Sequence, residues 1–248
     1  MIKRSHLLLS LTFIISHLFA ANDKLFFEPC NPFSTNMKFD CYHDFKEMSQ
    51  FLKDAHKKYP QFTKLESIGK SYEGRDLWVL TITDFSSGEP ENKPGIWIDG
   101  GVDSDEVIAT EAALGLVHRL LTSDDKEIIN LRKTRVFYIL PNMIPDGSEQ
   151  QHHSVLRPRD STLKPWDDDN DGKFDEDAPE DLDGDNMALQ MRVEDLSGNW
   201  VKDEKDHRLL RQRKPDDKGP YYERYSEGID NDGDGDYNED WPGGIDPN

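Results

Sequence analysis

The first regular hydrophobic pattern in the chain lies at residues 43–59. Apolar side chains recur there at spacings of three and four: Phe45, Met48, Leu52, Ala55 and Tyr59. This period predicts a helix with one apolar face. Asp44 suits the positive end of that helix and Pro60 ends it.

Shorter apolar segments follow, with turn and loop residues between them. The pattern predicts strands at 67–69, 75–83, 95–100 and 134–140, and a helix at 106–121. The apolar face expected for that helix is Ile108, Ala112, Leu116 and Leu120. Residues 72–74 predict a turn, and the polar stretch 84–94 predicts a loop. Strands that alternate with helices indicate the α/β class, a sheet with helices packed on it.

Two loops at predicted strand ends are rich in polar residues. One covers residues 99–106 (Asp-Gly-Gly-Val-Asp-Ser-Asp-Glu) and leads from a strand into the second helix. The other covers residues 141–147 (Pro-Asn-Met-Ile-Pro-Asp-Gly) and follows the mostly apolar strand predicted at 134–140. Binding residues in open α/β sheets collect at the carboxyl ends of strands, so both loops are candidates for a site.

Charge divides the chain into two parts. The 248 residues contain 30 Lys and Arg and 50 Asp and Glu, a net charge of −20, and 28 of the acids lie in residues 160–248. Such a charge argues against a nucleic-acid partner, because phosphates would be repelled. We therefore expect an α/β domain at 22–160 and a separate acidic segment at 161–242.

The N-terminus has the pattern of a cleavable secretory signal at residues 1–21. Lys3 and Arg4 precede an apolar run at 7–19, and two alanines follow. A membrane anchor is the alternative, but the run is shorter than the about 20 residues that a spanning helix needs. Export to the periplasm or the medium, with no membrane span after cleavage, would let Cys30 and Cys41 form a disulfide. The alternative is two buried free thiols.

The order of these segments carries a family resemblance. A helix, the Ser71–Arg75 turn (Ser-Tyr-Glu-Gly-Arg), a strand, the 99–106 loop, a helix, a strand and the 141–147 loop follow one another. This order resembles the zinc carboxypeptidases, metallopeptidases related to carboxypeptidase A, over residues 42–160 and again at 243–248. The resemblance implies a hydrolase that holds zinc and removes C-terminal amino acids from peptide or protein substrates.

The resemblance also implies site residues. Glu106 takes the position of the family's zinc-binding Glu, and Asp103 stands where the family has a zinc-binding His. A carboxylate can bind zinc, but it is a harder ligand that favours Mg, Ca or Mn. Without the resemblance, both acids would be interpreted as helix-capping residues. Arg159 takes the position of the oxyanion-binding Arg, with Arg157 as its competitor, and Asn248 takes the position of an Asn that holds the substrate carboxylate.

Other parts of the family's site have no matching residue in this sequence. Neither the third zinc ligand nor the general base is matched, so we expect this chain to be incomplete or inactive as an enzyme. His152 and His153 are possible replacement ligands, although exposed histidines in a polar loop at 148–154 are the favoured interpretation. The alternatives are a non-enzymatic, calcium-dependent exported binding module and a fragment without a stable fold.

Three acidic runs have the spacing of calcium-binding loops. Oxygen side chains at alternate positions with a Gly in the turn are the EF-hand pattern. The candidate ligands are Asp167, Asp169, Asp171 and Asp175 in the first run, Asp181, Asp183 and Asp185 in the second, and Asp230, Asp232, Asp234 and Asp236 in the third. The first run lacks the Glu at position 12, so Asp177 or Glu180 is a possible substitute. A solvated, disordered acidic stretch is the alternative.

Taken together, these patterns predict one fold. We expect an α/β protein: the N-terminal portion of a carboxypeptidase-like mixed sheet flanked by helices, followed by an acidic, loop-rich insertion.

Overall fold

A computed structural model describes residues 28–152, 159–167, 170, 172–233, 235, 237–238 and 244–247. The predicted signal sequence at 1–21 lies outside these residues. Two four-stranded sheets organise the described chain. The fold is a mixed α/β fold, as the sequence predicts.

The first sheet is mixed. Its strands are β1 (Thr63–Lys70), β2 (Asp76–Ile82), β3 (Gly95–Asp99) and β4 (Val136–Leu140), in the order β1-β2-β4-β3. β1 pairs antiparallel with β2, and β2 pairs antiparallel with β4. β3 runs parallel to β4, with Gly95 opposite Val136 and Asp99 opposite Leu140. The carboxyl ends of β3 and β4 therefore lie side by side.

Four α-helices accompany this sheet: α1 (Phe45–Lys58), α2 (Val107–Thr122), α3 (Lys126–Thr134) and α4 (Pro145–Gln150). α1 starts at a capping box, in which Asp44 accepts from the Glu47 N–H and Glu47 accepts from the Asp44 N–H. The stretch at 84–94 contains two short 3-10 turns, Phe85–Ser87 and Pro90–Asn92.

The main hydrophobic core lies between the first sheet and helices α1 and α2. Its fully buried side chains include Phe51, Leu52, Leu80, Leu114, Val117 and Ile139. The face predicted for α2 is half right. Leu120 is buried and Leu116 packs against the core, but Ile108 and Ala112 are exposed. Ala113, Leu114 and Val117 are buried in their place. α2 is apolar on most of its circumference, so its period did not single out one face.

The acidic half contains the second sheet. Its strands are β5 (Gln190–Glu194), β6 (Trp200–Lys202), β7 (Leu210–Gln212) and β8 (Tyr222–Ser226), in the order β5-β8-β6-β7. All of its pairings are antiparallel. The described part of this region is loop-rich, as expected, because its strands are only three to five residues long. These strands nevertheless form a folded sheet, and the acidic runs flank it.

Two further features of the described residues are a disulfide and the character of the helices relative to a membrane. Cys30 and Cys41 are joined by a disulfide, with their Cα atoms 5.6 Å apart. None of the described helices combines the length and the apolar character needed to cross a bilayer.

Candidate active site

The two polar loops predicted as site candidates meet beyond the ends of β3 and β4. The Met143 N–H donates to the Gly100 carbonyl at 2.8 Å, and the Ile144 N–H donates to the Gly101 carbonyl at 3.1 Å. These bonds hold the 99–106 loop against the 141–147 loop. The site is thus built at the carboxyl end of the parallel strand pair, where α/β folds place their ligands.

Glycine is required where these loops approach other backbone. A Cβ at Gly100 would lie 2.6 Å from the Pro141 carbonyl oxygen and 2.8 Å from the Ala109 carbonyl oxygen. A Cβ at Gly147 would lie 2.5 Å from the Ser161 carbonyl oxygen and 2.6 Å from the Ser104 side chain. Any side chain at these two positions would push the loops apart.

Ser104 links the first loop to the segment that contains Arg159. The fully buried Ser104 hydroxyl donates to the Arg159 carbonyl at 2.7 Å. The Arg159 side chain is 8% exposed, and its Nη2 donates to the Thr162 carbonyl at 2.7 Å and to the Ser161 hydroxyl at 3.2 Å. The structure therefore brings Arg159 to the 99–106 loop but directs that nitrogen at its own segment, and the oxyanion role stays a prediction.

Glu106 and Asp103 lie at the start of α2. Glu106 is the N-cap residue, but its side chain makes no capping hydrogen bond and is exposed. The half-buried Asp103 accepts from the Glu106 N–H at 3.2 Å through its carbonyl oxygen. Capping therefore does not occupy the Glu106 carboxylate.

The start of α2 is also strongly negative. Partial burial raises the pKa of the Asp105 carboxyl above its ordinary value, and the nearby charges of Asp160 and Asp103 raise it further. Several carboxylates that share one loop repel each other unless a cation or a proton offsets the charge. This electrostatic environment suits a cation.

Asp146 is a structural residue that the sequence reasoning missed. Its buried carboxylate accepts from the Ser71 hydroxyl at 2.6 Å, the Glu73 N–H at 2.9 Å and Arg75 Nη1 at 2.7 Å. These bonds attach the Ser71–Arg75 turn to the 141–147 loop. The signal in the sequence was the presence of Arg75 in one family motif and of Asp146, an opposite charge, in the other.

Two histidines lie close to this region, and one corrects an expectation. His152 is only 3% exposed, so its interpretation as an exposed histidine is wrong; His153 lies outside the described residues. His43 is buried and bonds Glu111 on α2 through Nδ1, at 3.0 Å to Oε1 and 2.9 Å to Oε2. The His43 N–H also donates to Glu111 Oε1 at 2.7 Å, which ties α2 to the residues before α1.

The second acidic run converges with a glutamate from another segment. Carboxylate oxygens of Asp181, Asp183 and Glu227 all lie within 4.8 Å of one another. Glu227 is buried, and its Oε1 accepts from the Leu182 N–H at 2.8 Å and the Asp183 N–H at 3.1 Å. The sequence did not reveal Glu227, because it lies 44 residues after Asp183.

The third acidic run converges with Asp177 in the same way. Carboxylate oxygens of Asp177, Asp230 and Asp232 all lie within 4.8 Å of one another. Asp177 is fully buried and accepts from the Asn231 N–H at 3.0 Å and the Asn238 N–H at 2.7 Å. The sequence offers Asp177 as a possible ligand for the first run, and among the described residues its carboxylate groups with the third run.

Several remaining candidates can be described only in part. Asp169, Asp171, Asp234, Asp236 and Asn248 lie outside the described residues. Asp167 accepts from the Gly172 N–H at 3.1 Å, and Asp175 accepts from the Trp166 N–H at 3.3 Å. Asp185 accepts from the Met187 N–H at 2.8 Å. Within the described chain, none of these three joins a cluster of three metal-binding side chains.

The donor set at the start of α2 is a partial fit to zinc. Catalytic zinc sites have three protein ligands and an open position. In the part of the chain that the structure describes, no group of three metal-binding side chains includes Asp103 or Glu106. The described residues therefore do not make a complete zinc centre by themselves, and no catalytic step through zinc follows from them.

The fold and the loop cluster define a class of protein. It is a mixed α/β protein whose polar loops, with carboxylates at a helix start, meet at the ends of parallel strands. A family profile described as zinc carboxypeptidase matches residues 48–212, more than half of the chain. The chain belongs to the zinc carboxypeptidase family, a family of metal-dependent peptidases that act on peptide C-termini.

Individual relatives match a smaller part. Carboxypeptidase M of Mus musculus is 36% identical over 110 residues, which are 44% of this chain and 25% of the relative. Carboxypeptidase D of Mus musculus is 32% identical over 111 residues, 44% of this chain and 8% of the relative. A zinc carboxypeptidase of Saccharothrix mutabilis subsp. capreolus is 32% identical over 110 residues, 44% of this chain and 25% of the relative. This chain thus spans well under two thirds of these relatives.

Solved structures were also compared. The crystal structure of thrombin-activatable fibrinolysis inhibitor has a TM-score of 0.48 and 24% identity, and the similarity covers 57% of this chain and 36% of that one.

Proposed function

We propose that the chain carries part of a carboxypeptidase site that takes peptides with a free C-terminus. The observation that supports this is the loop cluster at the ends of β3 and β4, where residues 99–106, 141–147 and Arg159 are held together. In this proposal Asp103 and Glu106 bind a divalent metal, and Arg159 faces the substrate after its segment rearranges. We further propose that Asn248 holds the substrate carboxylate, a role that the family resemblance alone supports.

The donor chemistry sets the expected activity. Two carboxylates are fewer and harder ligands than the set used by catalytic zinc, so they favour weak binding and ions such as Mg²⁺, Ca²⁺ or Mn²⁺. We expect the 248-residue chain with zinc to release C-terminal amino acids slowly or not at all.

The test is metal binding with matched variants. Zinc and manganese are titrated calorimetrically into the wild type, Glu106→Gln and Glu91→Gln, an exposed carboxylate on the 84–94 stretch. Glu106→Gln should weaken binding at the α/β domain about tenfold, because a carboxylate ligand becomes a neutral amide, whereas Glu91→Gln should change nothing. Equal affinity in Glu106→Gln and the wild type would sink the proposal.

A peptide assay on the same proteins tests the expected low turnover. Release of C-terminal amino acids from a short peptide is followed with and without zinc. Zinc-dependent release by the wild type that is lost in Glu106→Gln would show that the chain holds more ligands than the described residues reveal. The expectation of low turnover would then be wrong, while the metal role of Glu106 would stand.

We also propose that the chain is exported to the periplasm or the medium. The signal pattern at 1–21 and the bonded pair Cys30–Cys41 support this, since disulfides persist in oxidising compartments. Mass spectrometry of the mature protein should find an N-terminus close to residue 22. A chain recovered with residues 1–21 intact and with free thiols would contradict export.

Calcium binding by the acidic half is a second candidate function. Two separate groups of three carboxylates converge there, one with Glu227 and one with Asp177, and each group has oxygens within 4.8 Å. Ca²⁺ takes six to eight oxygens at flexible geometry, which fits carboxylates from distant segments combined with backbone carbonyls. The Asp167 Oδ1, Glu176 Oε2 and Asn238 Oδ1 atoms are also buried without a hydrogen-bond partner among the described residues.

Calcium titration distinguishes specific Ca²⁺ sites from a general effect of salt on the repulsion between carboxylates. Ca²⁺ should raise the melting temperature of the wild type, and Asp183→Asn and Asp232→Asn should each reduce the number of bound ions. Glu194→Gln, an exposed carboxylate on β5 outside both groups, is the control. A melting temperature that responds to Ca²⁺ no more than to the same ionic strength of NaCl would reject calcium sites.

A further inference from the structure

The second sheet carries a basic cavity in a protein of net charge −20. The cavity has a volume of about 460 Å³ and is lined by three arginines, Arg192, Arg208 and Arg224, with Met191 and Leu209 among its apolar lining. Residues 190–226, which contain the sheet, have nine basic and eight acidic side chains. An anion that approaches this sheet therefore meets little repulsion, because the local charge is close to zero. In the cavity it meets three guanidinium groups.

Two of these arginines are neighbours on adjacent strands. Arg192 on β5 and Arg224 on β8 are direct Cα partners in the antiparallel ladder. Like charges at directly opposed positions destabilise a strand pair unless something offsets them. Arg208 has a partner, since it forms a two-pronged bond to Asp206. Among the described residues, neither Arg192 nor Arg224 forms an ion pair with a carboxylate.

Aromatic side chains hold both guanidinium groups in position. Arg224 stacks on Trp200 with 3.8 Å between the guanidinium carbon and the ring centroid, and Arg192 lies 5.7 Å from the Tyr222 centroid. Arg192 Nη1 donates to the His207 carbonyl at 3.1 Å, and Arg224 donates no side-chain hydrogen bond within the described chain. Stacking uses the face of a guanidinium and leaves its N–H groups available at the edge.

We propose that Arg192 and Arg224 form a binding site for a small organic anion with a carboxylate or a phosphate group. Two adjacent guanidinium groups match the paired oxygens of either group, which accept charge-assisted hydrogen bonds. The oxyanion lies between the two arginines and offsets their repulsion, and the apolar part of the ligand packs on Met191 and Leu209. The site lies on the second sheet, so it stands independently of the proposed peptidase site.

The experiment uses the whole chain and three defined probes. Succinate, methyl phosphate and the uncharged analogue succinamide are titrated calorimetrically and by tryptophan fluorescence, because Trp200 contacts Arg224. The variants are Arg192→Gln, Arg224→Gln and Arg224→Lys. The control is Arg213→Gln, whose guanidinium stacks on Tyr221 at 3.6 Å and does not line the cavity. Circular dichroism checks that each variant is folded.

Saturable binding of succinate or methyl phosphate with a fluorescence change supports the site. Arg192→Gln and Arg224→Gln should each weaken that binding about tenfold or more, Arg224→Lys should weaken it less, and Arg213→Gln should leave it unchanged. The tighter of the two anions identifies the ligand as a carboxylate or a phosphate. Binding of succinamide as tight as succinate, no saturable binding of either anion, or an equal loss in Arg213→Gln would each overturn the proposal.

Discussion

Different interactions stabilise the regions around the two sheets of this protein. The first sheet packs against α1 and α2 through a continuous hydrophobic core that includes Phe51, Leu80 and Leu114. In the described residues after 159, Ala188, Val201 and Tyr222 are the buried hydrophobic side chains. Buried carboxylates connect the segments of this region instead. Asp177 and Glu227 accept hydrogen bonds from backbone N–H groups of distant segments.

This difference separates the sensitivities of the two regions. Burial of apolar surface depends little on charge, so the hydrophobic core of the first region should tolerate changes in pH and cations. Hydrogen bonds to ionised carboxylates depend on the charge state, so the second region should respond to both. Each of the following changes should affect one region much more than the other.

Leu114→Ala should have the largest effect, and it should fall on the first region. Leu114 is fully buried on α2, and truncation of such a side chain leaves a cavity that costs about 2–5 kcal/mol. Urea unfolding followed by circular dichroism measures the loss. Ile108→Ala on the exposed face of α2 is the control and should cost less than about 0.5 kcal/mol. Equal costs would show that the core assignment of α2 is wrong.

Asp146→Asn should come next, at roughly 1.5–3 kcal/mol, since the hydrogen bond from Arg75 loses its charged acceptor. The change should loosen the Ser71–Arg75 turn from the 141–147 loop, seen as faster amide hydrogen exchange at Glu73. Asp124→Asn, an exposed carboxylate before α3, is the matched control. Unchanged exchange at Glu73 would contradict the role given to Asp146.

Glu227→Gln should destabilise the second region by about 1–2 kcal/mol. The amide can still accept a hydrogen bond, but the negative charge that strengthens the bonds from the Leu182 and Asp183 N–H groups is gone. Hydrogen exchange should accelerate at those two amides and leave the α1–α2 core unchanged. Acceleration in both regions would mean that the two sheets unfold together.

Loss of the Asp217 charge on acidification should have the smallest effect. Two hydrogen bonds from Arg211, with support from the Lys214 N–H, hold the pKa of Asp217 well below its ordinary value. A carboxyl with a lowered folded pKa adds stability above its unfolded pKa of about 3.9, and that stability is lost as the pH falls further. Hydrogen exchange in β6 and β7 should rise below about pH 4 in the wild type, and less so in Asp217→Asn. The pair is half-buried at the protein surface, where solvent still screens it, so the effect should be modest.

Much of the first region was predictable because its signals are local. Asp44, the apolar spacing after it and Pro60 define α1 within one short segment. α3 was missed although Asp125 caps it and Ile128 is buried, because its nine residues contain few apolar side chains. The α2 face was predicted only in part because apolar residues surround that helix, and only tertiary packing selects the buried side.

In the second region, the sequence predicted the acidic loops but not the residues that they contact. The spacing of the acidic runs indicated cation loops, but the partners Glu227 and Asp177 come from segments tens of residues away. Strands β6 and β7 have three residues each and a mixed charge pattern, so no period marks them. The pairing of Arg192 with Arg224 also depends on the register of two distant strands.

The position of Glu227 has a consequence for the order of events during synthesis. The amides of Leu182 and Asp183 acquire their acceptor only when residue 227 has been made, 45 and 44 residues later. At about 5–20 residues per second, the 181–185 loop waits roughly 2–9 s for that carboxylate. The first sheet can be complete before this time, so the newly made chain passes through a stage with a finished hydrophobic domain and an open acidic tail.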